Sequence, residues 1–160
     1  NLFTFEPRCH ELEHGIETQL PFLQAALPTP FSLVSIVMGS QSLDHIEALA
    51  DSLIQNYSED ILYIASSDFS HFFTAETALG MDYKALGLIA TQSYTDLFKA
   101  QENEQVQMCG LGPIVAVGKV MAEKTSKTPT VLTYTHSGEV TGDNTSVVGY
   151  SAITFNEGGT

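Results

Sequence analysis

The feature that most constrains this sequence is a short apolar run that leads directly into a group of polar residues. Residues 61–65 are mostly β-branched and aromatic, which is typical of a buried strand in an α/β sheet. They are followed by Ser66-Ser67-Asp68-Phe69-Ser70-His71. Because open α/β sheets bind ligands just beyond the carboxyl ends of their strands, the Asp and the His are predicted to share one crevice. An aspartate can there orient an imidazole for proton transfer.

The order of helical and strand patterns predicts the fold class. Apolar residues follow helical spacing over residues 15–27, 43–54, 75–101 and 113–121, and strand patterns cover residues 31–38, 60–65, 130–135 and 147–155. Ser42 is a candidate N-cap, and the longest helical pattern weakens near Gln92 and Ser93. We therefore expect a single α/β domain over residues 1–160, a layered sandwich with a mixed β-sheet flanked by helices, whose last two strands can pair antiparallel.

The composition favours a folded domain and disfavours two classes of partner. Hydrophobic residues make up 43% of the chain and charged residues 16%, as expected for a packed core. The 19 acidic and 6 basic residues give a net charge of −13, so Coulomb repulsion argues against nucleic acids and anionic membranes. Two cysteines, Cys9 and Cys109, are too few for a disulfide framework, and no signal peptide is apparent. A cytoplasmic location is expected.

A literal zinc-protease motif lies near the start of the chain. His10-Glu11-Leu12-Glu13-His14 matches H-E-x-x-H and also the inverted form H-x-x-E-H. Two imidazoles one helical turn apart would bind zinc while a glutamate activates water. However, the apolar helical spacing starts only at Ile16, so the first histidine precedes any predicted helix. Zinc hydrolysis is accordingly the weakest hypothesis, and a charged segment before a helix is the better interpretation.

Three further residues are candidates for a pocket. His14 and Glu17 are three positions apart and would share one helical face, as pocket residues or as a surface pair. Cys109 opens a Gly-Leu-Gly-Pro turn into a helix, where the helix dipole favours a nucleophilic or metal-binding thiolate. The alternative for this residue is a buried, inert thiol. Asp68 and His71 also have a structural alternative, a capped turn and an aromatic stack.

Four blocks, in this order along the chain, resemble the Memo family, which includes the prokaryotic AmmeMemoRadiSam system protein B. The blocks are Glu-His-Gly-Ile-Glu at residues 13–17 with Gln-Leu-Pro-Phe-Leu at 19–23, Ser-Ser-Asp-Phe-Ser-His at 66–71, Cys-Gly-Leu-Gly-Pro-Ile at 109–114, and Ser-Gly-Glu-Val-Thr-Gly-Asp at 137–143 with Ser-Val-Val-Gly-Tyr at 146–150. The resemblance implies a fold similar to class III extradiol dioxygenases and a functional link to a radical SAM protein.

The same resemblance implies a metal pocket that holds iron or copper. Cys109 matches the family's cysteine ligand by motif, and Asp68 and His71 match its pocket residues. A thiolate with imidazoles suits a soft-to-borderline metal. Family members run much longer, and their N-terminal half contributes two further histidine ligands to which no histidine of this chain corresponds. The sequence also begins without Met, as a segment or a processed product would.

Two main hypotheses follow, and neither names a substrate or a reaction. In the first, the chain is the C-terminal part of a Memo-like protein with a possibly redox-active pocket, completed by a missing N-terminal half or a protein partner. Cys109 would bind the metal, and His71, oriented by Asp68, would donate or accept a proton. In the second, the chain is a non-enzymatic interaction module that binds a peptide or a partner subunit in a dioxygenase-like crevice.

Overall fold

The computed structural model describes residues 3–156 of the chain. The helices in this range are α1 (Leu20–Ala26), α2 (Leu43–Gln55), α3 (Ala75–Ala90), α4 (Tyr94–Glu102), α5 (Leu111–Lys124) and α6 (Gly138–Thr141), and the strands are β1 (His71–Phe73), β2 (Thr128–His136) and β3 (Val147–Asn156). A short 3-10 helix spans Pro7–His10. Among the described residues, no helix combines the length and apolarity needed to cross a bilayer.

The three strands form one sheet in the order β1-β3-β2. β2 pairs antiparallel with β3 from Thr128 opposite Asn156 to His136 opposite Gly149. β1 also runs antiparallel to β3, but it pairs only with the first residues of that strand. The antiparallel pairing of the last two strands is thus confirmed. The prediction of a mixed sheet is wrong for residues 3–156, because both pairings within them are antiparallel.

The helical patterns predict the structure more accurately than the strand patterns do. α2 begins directly after Ser42, although the Ser42 hydroxyl lies 3.1 Å from Nδ1 of His45 instead of capping the helix backbone. The long pattern over residues 75–101 divides into α3 and α4 at the weak point, where Gln92 adopts the left-handed conformation with φ of 56°. The pattern over residues 15–27 shortens to α1, since Pro21 lies in its first turn, where a missing N–H is tolerated.

Two predicted strands are not formed within the described part of the chain. Residues 31–38 and 60–65 carry neither helix nor strand. Their large apolar side chains are exposed, including Val34 (84%) and Leu62 (66%). An apolar β-branched run shows that a segment favours burial in a sheet, but a strand also needs a hydrogen-bonded neighbour. The described residues provide no such neighbour for these two segments.

The core lies between the helices and the sheet. Buried apolar side chains from the long helices and from the segment before β1 pack together, among them Ile46, Phe69, Leu86, Leu97 and Val115. Tyr94 of α4 packs so closely on α5 that a Cβ atom at Gly118 would overlap its ring. Burial raises the pKa of Tyr94 to about 12, so its hydroxyl stays protonated at neutral pH.

Two glycine substitutions test this helix contact. Gly118→Ala should lower the free energy of unfolding by about 2 kcal/mol, because the added methyl group forces α4 and α5 apart. Gly87→Ala is the matched control in α3, where an added Cβ has nothing within 4 Å. It should instead raise the free energy of unfolding by up to about 1 kcal/mol through helix propensity. Urea denaturation measures both, and equal effects would contradict the packing.

Candidate functional site

Asp68, His71 and Cys109 lie together between the start of β1 and the start of α5. One ligand atom of each residue, a carboxylate oxygen, a ring nitrogen and Sγ, lies within 4.8 Å of the other two. Nε2 of His71 is 3.7 Å from Oδ2 of Asp68. The side chains of Asp68 and His71 are 49% and 24% exposed, and Cys109 is also exposed. We refer to these three residues as the Asp-His-Cys cluster, which solvent can reach in the described structure.

Backbone hydrogen bonds hold the segment that carries Asp68 and His71 against β3. The N–H of Phe69 donates to the carbonyl of Gly149 at 2.9 Å, and the N–H of Gly149 donates to the carbonyl of Ser70 at 2.9 Å. The N–H of His71 donates to Oε1 of Gln107 at 2.7 Å. Phe69 and Ser70 are both buried. The two cluster residues therefore flank a buried, hydrogen-bonded pair, which limits how far they can move.

The carboxylate of Asp82 anchors the same segment from inside the fold. The backbone N–H of Ser70 donates to Oδ1 at 3.0 Å, and the Ser70 hydroxyl donates to Oδ2 at 3.0 Å. The Tyr134 hydroxyl donates to Oδ2 at 2.8 Å. Asp82 is fully buried, and a Cβ atom at Gly149 would overlap its carboxylate. Burial, aided by the hydrogen bond to Asp82, raises the pKa of Tyr134, which therefore remains a hydrogen-bond donor.

The turn before α5 positions the thiol of Cys109. The N–H of Cys109 donates to the carbonyl of Asp68 at 3.2 Å, and the N–H of Asp68 in turn donates to Sγ of Cys109 at 3.2 Å. The N–H of Gly110 donates to the Ser67 hydroxyl at 2.8 Å. Gly110 is needed here because a Cβ atom would lie 2.5 Å from the carbonyl oxygen of Ser66. These contacts hold the start of α5 against residues 66–68.

Two glutamines that sequence reasoning missed support the site. Gln41 bridges the first turn of α5, since its Nε2 donates to the carbonyl of Cys109 at 2.6 Å and its Oε1 accepts from the N–H of Gly112 at 2.6 Å. Gln107 accepts the hydrogen bond from the N–H of His71. These partners are separated by 36 to 71 positions in the chain. No local pattern could have indicated them, because a glutamine in a loop is ordinarily solvated.

His14 and Glu17 lie outside the Asp-His-Cys cluster. Nδ1 of His14 is 3.2 Å from Oε2 of Glu17, and the two side chains are 79% and 75% exposed. The neighbouring Gln19 donates from Nε2 to the Ser66 hydroxyl at 3.5 Å, so this turn borders the segment that leads to Asp68. The geometry agrees with a surface pair, and a pocket role for these residues stays a prediction.

The described residues do not form the zinc site of the H-E-x-x-H hypothesis. His10 ends the short 3-10 helix, and a turn at residues 11–12 separates it from His14. The motif requires both imidazoles on one continuous helix. Within residues 3–156, the Asp-His-Cys cluster is the only group of three or more potential ligand residues close enough to hold one metal ion. It contains neither His10 nor His14.

Comparison with known proteins identifies the family. A family model described as "Memo-like protein" matches residues 1–154. The chain belongs to the Memo family. A MEMO1 family protein of Sulfolobus acidocaldarius is 36% identical over 159 residues, which cover 98% of this chain and 56% of the relative. Another, of Saccharolobus solfataricus, is 39% identical over 154 residues, which cover 94% of this chain and 54% of the relative.

A third Memo-family relative shows the same partial coverage. The MEMO1 family protein of Sulfurisphaera tokodaii is 36% identical over 156 residues, which cover 95% of this chain and 55% of the relative. The chain thus spans about half the length of the relatives that it matches. The resemblance in the four sequence blocks is confirmed by these matches, and the Asp68, His71 and Cys109 blocks all fall inside the matched range.

Asp82→Asn tests the anchor of the site. The substitution replaces Oδ2 by an amide nitrogen, which cannot accept the hydrogen bonds that the hydroxyls of Ser70 and Tyr134 donate. The free energy of unfolding should therefore fall by about 3 kcal/mol. Asp96→Asn is the control, because the Asp96 side chain is 68% exposed and its ion pair with Lys99, at 3.9 Å, lies on the surface. Surface ion pairs contribute little, so the free energy of unfolding should barely change. Equal urea midpoints for the two variants would show that the buried network is not an anchor.

Proposed function

We propose that this Memo-family protein holds a redox-active metal ion, iron or copper, at the Asp-His-Cys cluster. The observation that carries the proposal is the convergence of a thiol, an imidazole and a carboxylate within 4.8 Å of one another. These are three ligand types that metals bind in proteins, and sulfur with imidazole favours soft-to-borderline ions. Cys109 is the proposed ligand. Its backbone and the backbone of Asp68 fix its sulfur beside the other two groups.

His71 and Asp68 are proposed to manage protons beside the metal. The 3.7 Å separation of Nε2 and Oδ2 is an ion-pair distance, slightly longer than a hydrogen bond, so a small rotation would bring the carboxylate into contact with the ring. Asp68 would then orient the imidazole, and His71 would donate or accept a proton at Nε2. Partial exposure of both side chains provides exchange with solvent. Bound iron or copper would supply one-electron chemistry.

The chain would supply only part of the site. With Cys109 as the ligand, most coordination positions of the metal are left open, and the matched relatives extend well beyond the matched 54–56% of their length. A polypeptide equivalent to the remaining share would add ligands and complete a layered sandwich like that of class III extradiol dioxygenases. Family membership supports this fold assignment for residues 1–160. A cytoplasmic location and a link to a radical SAM protein belong to the same proposal, and the free thiols of Cys9 and Cys109 support the location.

Metal titration of two cysteine variants tests the ligand assignment. Cu(I) or Fe(II) should bind Cys109→Ala more than about 100-fold more weakly than the parent protein, because loss of a ligand costs at least as much as loss of an outer-shell partner. Cys9→Ala is the matched control, since Cys9 is the other exposed thiol and lies outside the cluster. It should bind like the parent. Competition with a chromogenic chelator under anaerobic conditions gives the affinities.

Two outcomes of this titration would contradict the assignment. One is equal affinity of Cys109→Ala and the parent protein. The other is an equal loss in Cys9→Ala, which would indicate binding by any accessible thiol. Far-ultraviolet circular dichroism of the variants separates a lost ligand from a lost fold.

A further inference from the structure

We infer that residues 61–65 and the adjacent flank of β3 form a docking groove for a β-strand. The strand would come from a polypeptide equivalent to the part of the Memo relatives that this chain does not match. This inference concerns a surface next to the Asp-His-Cys cluster and does not depend on metal binding.

The sheet is incomplete on one flank of β3. On the other flank, β2 pairs with β3 from Asn156 to Gly149. β1 pairs only with Val147 and Val148, and the backbone bonds of residues 69–70 extend this contact only to Gly149. Beyond that residue, the described part of the chain places no strand beside β3 on this flank. A sheet flank of this kind is a template for an added strand.

Residues 61–65 diverge from the position that would fill this flank. If the antiparallel pairing of residues 69–70 with Gly149 continued toward lower residue numbers, residues 61–65 would lie alongside Ile153 and Phe155 of β3. Instead, a cavity of about 890 Å³ is lined by residues 61–65 and by both of these β3 residues. The α5 residues Ile114, Val117 and Met121 also line it. The cavity therefore lies where the next strand of the sheet would run. Apolar side chains line one part of it, and polar and charged residues line the rest, among them Glu59, Asp60, Lys124 and Lys127.

The side chains of the groove indicate that it is covered by a partner. Ile61, Leu62 and Ile64 are 47%, 66% and 45% exposed, although their sequence is that of a buried strand. A contiguous exposed apolar surface marks an interaction site.

Length and charge decide which occupant fits. A strand of five to six residues is about 17–20 Å long, which suits a groove bordered by the five residues 61–65. The relatives contain additional polypeptide beyond the 54–56% that this chain matches, and we take that share as the occupant. A second copy of this chain fits less well, because each copy carries a net charge of −13 and the copies repel each other.

Co-expression tests the groove. The probe is the portion of the Sulfolobus acidocaldarius relative that lies outside its matched region, produced together with this chain. We expect a 1:1 complex by light scattering, in which amide hydrogen exchange at residues 61–65 slows at least tenfold relative to the chain alone. Leu62→Asp should weaken the complex at least tenfold, because it buries a charge against the added strand. Val140→Asp is the control, since Val140 is 91% exposed on α6 and does not line the groove.

Three results would overturn the inference. The first is the absence of a 1:1 complex with the probe. The second is a complex in which exchange at residues 61–65 is unchanged, or which Leu62→Asp and Val140→Asp affect equally. The third is a dimer of this chain alone that Leu62→Asp dissociates, which would assign the groove to a second copy. The exchange measurement uses the unmodified chain, so it decides the question even if a variant fails to fold.

Discussion

The buried carboxylate of Asp82 is the interaction on which the candidate site depends. It accepts hydrogen bonds from the backbone N–H and the hydroxyl of Ser70 and from the hydroxyl of Tyr134. It therefore joins α3, β2 and the segment before β1. A buried carboxylate without donors would cost several kcal/mol, and the fold can therefore close only with Ser70 in this position. Asp68 and His71 are positioned by the same constraint, because Ser70 lies between them in the chain.

Local sequence patterns predict the parts of the structure that depend on neighbouring residues. The apolar spacing of α2, the break at Gln92 and the antiparallel pairing of β2 with β3 are of this kind. The blocks that suggested Asp68, His71 and Cys109 also converge in space. Asp82 and Gln41 could not be predicted, since their partners lie 12 to 71 positions away and their side chains carry no local signal. The prediction of strands at residues 31–38 and 60–65 is wrong for a related reason. The apolar pattern indicates that a segment favours burial, but it does not specify the neighbouring strand with which that segment would pair.

The Asp-His-Cys cluster and the proposed docking groove lie next to each other in the structure. Ser67 lines the groove, and its hydroxyl lies 3.8 Å from Sγ of Cys109 and accepts the N–H of Gly110. A strand bound along residues 61–65 would therefore end beside the thiol. On this account, the half of the family's length found in this chain positions the thiol, the imidazole and the carboxylate, and a further polypeptide would add the remaining ligands.

X-ray absorption spectroscopy of the copper-loaded protein tests the central claim most directly, because it reports the atoms bound to the metal. The account predicts one sulfur scatterer bound to copper, together with lighter nitrogen or oxygen neighbours. The sulfur contribution should disappear in Cys109→Ala and persist in Cys9→Ala, since only Cys109 lies in the cluster. A sulfur shell that survives in Cys109→Ala, or a parent spectrum without sulfur, would contradict the account.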